Sequence, residues 1–189
     1  ADYNQAALKV TRANLIKADI WAKVIWGDIG NPELLALDLK ENYNIDLKDL
    51  LNVRTFLDHN RIWETPKTVS NDRNSTSSGA FAHRGVWIKN NEVEDNLLEH
   101  LQKWSTYVQK FGLLIIELHT IPPEITANNL GNTAATAYDA THGFSDQYIV
   151  EIDVLHKVAA EVGLFPDPLY FKKFPNTNYA TVSINLLKG

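Results

Sequence analysis

Tyr170-Phe171-Lys172-Lys173-Phe174-Pro175-Asn176-Thr177-Asn178-Tyr179-Ala180-Thr181-Val182-Ser183-Ile184-Asn185-Leu186-Leu187 is the stretch that decides the fold. Its two ends are rich in aromatic and β-branched residues, which favour strands, and the Pro-Asn-Thr-Asn between them has the composition of a turn. Parallel neighbours need a crossover of about a dozen residues, far more than this turn supplies. The pair is therefore hairpin-like, and the last strand runs antiparallel to the one before it.

The chain ahead of this pair alternates. Tyr3 to Lys17 places Ala7, Leu8, Leu15 and Ile16 at helical spacing. Ala22-Lys23-Val24-Ile25-Trp26 reads as a short strand stopped by Gly27-Asp28, and Asn31-Pro32-Glu33 as a helix start leading into Leu34, Leu35, Leu37 and Leu39. Leu50 to Leu57 is the next strand, ending in the polar cluster Asp58-His59-Asn60-Arg61, and Thr65 to Gly85 reads as one long loop. From Asn91 a helix shows Val93, Leu97, Leu98, Leu101, Trp104 and Val108 on one face and leaves His100 at the surface. Gly112 to Leu118 is almost wholly apolar, as expected of a strand covered on both sides, and His119 follows it. Ser145 can cap a last helix with Ile149, Ile152, Leu155, Val158 and Val162 inward. The expected fold is α/β: a Rossmann-like, mostly parallel sheet with an antiparallel C-terminal strand and helices on both faces.

The 189 residues suit one domain, and the 44% hydrophobic content is ample for a core. A net charge of −5 without any basic run leaves no footprint for nucleic acid or an anionic membrane. Neither a membrane span nor a signal peptide is visible, so a cytoplasmic setting is expected. With no cysteine, disulfides and thiolate chemistry are excluded. With no methionine either, and Ala1 in first position, the expectation is a piece of a longer polypeptide.

Trp26-Gly27-Asp28-Ile29, Phe56-Leu57-Asp58-His59-Asn60-Arg61, Ile116-Glu117-Leu118-His119 and Ala137-Tyr138-Asp139-Ala140-Thr141-His142-Gly143-Phe144-Ser145-Asp146-Gln147-Tyr148 span nearly the whole chain. Together they resemble the class I S-adenosylmethionine-dependent methyltransferase domains of bacterial polyketide synthases, particularly the metal-dependent kind of starter modules. The resemblance implies C-methylation of a malonyl-type acyl group on an acyl carrier protein, amid neighbouring synthase domains. It places Asp2 on the ribose hydroxyls of S-adenosylmethionine and Asp28 and Ile29 on adenine, while Asp2 and Asp28 also read as a helix-start acid and a turn residue. It implies an iron-type metal, iron or manganese. His142 and Gln147, five positions apart, could share such a cation through an imidazole nitrogen and an amide oxygen; an isolated His at a helix end is the plainer reading.

Asp58, His59 and Asn60, at a strand end that faces the crevice, are the candidate catalytic residues, with loop anchoring as the alternative. His119 shares the strand-end position; His83 could join from the long loop, and His156 reads as structural. The nine glycines contain no G-x-G, so the loop that passes under the methionine part of the cofactor is missing from residues 1–189. A strand-loop unit carrying it is expected within about 40 residues upstream of Asp2. A non-catalytic half-domain with a structural role in a synthase is the alternative. A nicotinamide enzyme would need the same glycine loop and fits the terminal pair badly.

Overall fold

The computed structural model describes residues 1–70, 73–138 and 146–189. Helix α1 spans Gln5–Lys17 and α2 spans Pro32–Tyr43, followed by a 3-10 turn at Leu47–Asp49. Strand β1 is Asn52–Thr55, β2 Phe81–His83 and β3 Val86–Ile88; then come α3, Asn90–Ser105, and β4, Leu113–Leu118. Helices α4, Pro123–Asn128, and α5, Ile152–Glu161, precede β5, Phe165–Pro166, β6, Lys172–Phe174, and β7, Val182–Lys188.

The helix start read at Asn31-Pro32 holds, and the helix read from Tyr3 begins at Gln5. Asn4 caps α1 by accepting from the Ala6 and Ala7 N–H groups, and Asn31 caps α2 by accepting from Leu34, with Pro32 in the first turn. The main sheet has the order β1–β4–β7–β5, with β6 also on β7. β1 and β4 are parallel, while β7 is antiparallel to β4, β5 and β6, so β7 alone runs against the others. Phe174 pairs with Val182 and Lys172 with Ile184, which is the terminal pair expected from the short turn.

α3 and α5 pack against each other, and the inward-facing residues Leu113, Ile115 and Leu187 of β4 and β7 join Val93, Leu97, Leu101, Val154 and Val158 in one apolar core. On the opposite sheet face Leu114, Ile116 and Leu186 are only half-buried.

Four expectations shift. Ala22–Trp26 does not form a strand; only Trp26 pairs, in an isolated parallel bridge with Asp2. The long loop contains β2, which forms a two-stranded antiparallel sheet with β3. The segment read as irregular before Ser145 includes α4, and the last helix starts at Ile152. Ser145 itself lies outside the described residues. Finally, α3 is buried on its polar side too. Glu94, Asp95, Asn96 and His100 are all under 8% exposed: residues 67–70 and 73–78 supply partners for the acids, Asn96 bonds Arg61 and Glu64, and His100 meets Arg54 and Asp58. Glu99 takes the Lys67 and Thr68 N–H groups, Asp95 takes that of Ser70, and Glu94 takes the Ser75 hydroxyl. Arg73 binds Asp95 at 2.6 Å and Glu161 at 2.6 Å, tying the loop to α3 and α5 together.

Gly112 turns the chain into β4 at φ +88°, where a Cβ would lie 2.7 Å from the Leu187 carbonyl oxygen. Gly112→Ala should therefore cost at least about 1–2 kcal/mol from the left-handed backbone alone. Urea unfolding would read this as a lowered midpoint with an unchanged slope; an unchanged midpoint would refute it.

Candidate functional site

β1 ends where Phe56 adopts φ +57° while its N–H still reaches the Ile116 carbonyl, 2.7 Å away. A left-handed phenylalanine costs energy that its surroundings must offset. The chain then folds back, and Asp58, His59 and Arg61 all become buried, with Asn60 exposed between them.

His59 turns toward β4. Its Nδ1 donates to Glu117 Oε1 at 2.5 Å, and its backbone N–H donates to Oε2 of the same carboxylate at 3.1 Å. Glu117 also accepts from the Leu118 N–H. Both side chains are about 4% exposed. A carboxylate held this way fixes the ring orientation and keeps the proton on Nδ1, so proton chemistry at this histidine runs through Nε2. The His59 carbonyl accepts from Tyr148 N–H, and the Tyr148 ring meets both the Arg61 guanidinium and Trp63. Burial, with Asp146 adding to it, pushes the Tyr148 phenol up to about 12; its hydroxyl is 3.2 Å from His83 Nδ1.

Asp58 faces away from this dyad. It meets Arg54 at 3.0 Å and His100 at 3.1 Å, and the Arg54 guanidinium stacks on Trp104. Burial favours the neutral acid, yet Arg54, His100 and Arg61 together hold Asp58 below the usual carboxylate range. His100 Nε2 lies 3.1 Å from both Arg54 Nη1 and Asp58 Oδ1 and can satisfy one at a time. Burial lowers His100 to about 4. This is a fully enclosed structural ion cluster that fastens β1 to α3. His100, expected at the surface, belongs to it because the side of α3 opposite its apolar stripe is covered as well.

Beside these groups lies a groove of about 850 Å³ that is lined mainly by apolar side chains. Asp2, Asp28 and Ile29 all line it, as do Leu57, Asn60 and Arg61 on either side of His59. Asp2 Oδ1 accepts from Asn4 N–H and Asp28 Oδ1 from Gly30 N–H, both at 2.8 Å, which orients each carboxylate. Residues far apart in the chain thus share one cavity wall, of a volume common for small-molecule sites.

A family model described as the AprA MT2-like domain matches residues 1–185. The chain belongs to that family. AprA MT2-like domains are methyltransferase domains of polyketide synthase type, which agrees with the Rossmann-like sheet and its antiparallel end strand. No curated protein matches the chain.

Within this AprA MT2-like domain the other sequence candidates separate. His119 does not open on the crevice: it is fully buried, its Nδ1 donating to Val150 O and its Nε2 accepting from Ser183. Asn185 donates to Ser183 and accepts from His156, completing a chain of satisfied buried groups and making His156 structural. Gln147 is half-buried, and His142 lies outside the described residues. Among the described residues no three His, Asp or Glu side chains converge as metal ligands. None of the helices in the described residues is long and apolar enough to cross a membrane. Glu117 was the site residue missed; the signal was a single charge inside an otherwise apolar strand.

His100 at about 4 and His119, lowered by burial to about 3, stay neutral in the fold well below the roughly 6.5 at which an unfolded histidine titrates. The unfolded chain therefore takes up these protons first as pH falls. Their contribution is complete above about pH 6.5 and drains away toward pH 4 and 3. Urea midpoints should fall from pH 7.5 to pH 5; equal midpoints would contradict neutral burial of the pair.

Proposed function

We propose that this domain is a C-methyltransferase in which His59, oriented by Glu117, removes the α-proton of an acyl thioester carried on an acyl carrier protein. The observation that carries the reading is the buried His59–Glu117 pair at a strand end, flanked by residues that line the groove. A base must be fixed in direction and able to take a proton at one defined atom, and the 2.5 Å contact at Nδ1 provides both for Nε2.

The groove fits S-adenosylmethionine in its donor set. Asp2 would take the ribose hydroxyls through charge-assisted bonds, Asp28 the adenine amino group, and Ile29 the ring face. When bound, the cofactor supplies an electrophilic methyl on a sulfonium, whose S–CH3 electron pair stays on sulfur as the new C–C bond forms. The chain's own part is to align that methyl with the α-carbon and to accept the proton at His59. A malonyl-type acyl group suits this chemistry, since a second carbonyl spreads the developing charge. Asp58 drops out of the catalytic set and acts as an anchor, whereas Asn60, exposed on the groove wall, is placed for substrate contact. His142 and Gln147 stay candidate ligands for iron or manganese, beside which the described residues supply no further ligand set.

In the natural polypeptide containing this domain, His59→Ala should lower methyl transfer by about 10²–10⁴-fold, the usual span for a general base. Donor affinity by calorimetry should stay within about twofold, since His59 touches the acyl side; Glu117→Gln should lower the rate at unchanged donor affinity. Wild-type turnover in His59→Ala would sink the base assignment, and absence of donor binding in the wild type would favour a non-catalytic half-domain.

A further inference from the structure

Beyond the end of β4 lies a second cavity, of about 650 Å³, which shares no lining residue with the groove. Ile121, Pro122, Ile152 and Phe171 make much of its wall apolar, and two acceptors stand among them. The first is Glu151. One of its carboxylate oxygens accepts from Ser78, from the N–H at 2.7 Å and the hydroxyl at 2.5 Å, while the other is buried with no partner among the described residues. A buried charged acceptor left unpaired is costly, so a donor belongs there.

The second is His156, whose proton is placed by the far end of the buried chain. His119 Nδ1 donates to Val150 O, so Nε2 accepts from the Ser183 hydroxyl; Ser183 then accepts from the Asn185 amide nitrogen, which turns the Asn185 carbonyl toward His156. The 2.7 Å contact to that carbonyl takes the Nε2 proton. Nδ1 is left as a lone pair, without a hydrogen-bond partner among the described residues, on a ring that lines the cavity. The chain that makes His156 structural thus uses only one of its nitrogens. Two acceptors call for N–H or O–H donors, and Lys173 offers one donor to a carbonyl. Glu124, Glu151 and Asp153 outnumber that single cation and disfavour an anion inside. A neutral chain of amides and methylenes meets these conditions. The cavity is also close to the proposed base: Tyr148 N–H bonds the His59 carbonyl at 2.8 Å, and the three residue steps from Tyr148 to Glu151 span at most about 11 Å.

We propose that this cavity holds the pantetheine arm on which an acyl carrier protein presents its thioester, the amide N–H groups of the arm facing Glu151 and His156. The inference rests on the methyl-transfer reading and deepens it: the methyl donor takes the groove, and the acyl arm takes this cavity.

Two measurements on the natural polypeptide test it. Asn178 is exposed and lines the cavity, so in an Asn178→Cys variant a malonyl-pantetheine thioester should slow labelling of the introduced thiol at least about fivefold, read by peptide mass spectrometry. The same acyl group on N-acetylcysteamine, which lacks most of the arm, should leave the labelling rate unchanged. In the wild type, kcat/KM should favour the pantetheine thioester by at least about tenfold, and Glu151→Gln, which sets an amide nitrogen against the arm's donors, should remove most of that preference through KM. Labelling that the pantetheine thioester does not slow, or that both thioesters slow equally, overturns the proposal; methyl transfer that proceeds nonetheless leaves the functional reading standing. A preference undiminished in Glu151→Gln overturns it too. Slowed labelling without methyl transfer to either thioester refutes the functional reading and leaves the arm site intact.

Discussion

A carboxylate sealed into the face of an apolar sheet must be surrounded by donors, and Glu117 meets that demand by gripping His59 at both its backbone and its ring. Losing the partners of a buried charge costs several kcal/mol, so β4 and the turn after β1 cannot separate without leaving Glu117 stranded. The same requirement that holds the strand end in place fixes the direction in which the imidazole can act. Structure and chemistry depend here on one contact.

Around it the molecule repeats the solution. Arg54, Asp58 and His100 form a closed ion cluster between β1 and α3, and His119, Ser183, Asn185 and His156 form a neutral chain between β4, β7 and α5. The neutral chain satisfies its buried groups locally, whereas the ion cluster leaves Arg54 Nε and Asp58 Oδ2 without a hydrogen-bond partner among the described residues; both specify how a helix sits on the sheet. Residues 67–70 and Arg73 do this from outside, their N–H groups and the guanidinium taking up the acids of α3.

Much of this was legible in the chain. The terminal pair announced an antiparallel strand because a short turn permits nothing else, and Asn31 and Pro32 announced α2 through capping chemistry. Asp2, Asp28 and Ile29 line one groove, and His59 follows a strand end. Other features depend on distant partners that periodicity cannot see. His100 looks exposed on α3 until Arg54 and Asp58 close on it, His119 looks like a crevice residue until Ser183 and Val150 close over it, and Asp58 looks catalytic until Arg54, four positions earlier, claims it. Glu117 was visible only as an anomaly within an apolar run.

The central claim, that His59 takes a proton from carbon, is tested most directly without the methyl donor. The natural polypeptide would be incubated in D2O with an acyl-carrier-bound thioester whose spontaneous α-exchange is slow, and deuterium at the α-carbon followed by mass spectrometry. The account predicts enzyme-dependent exchange that is lost in His59→Ala. Exchange at the wild-type rate in that variant would contradict it.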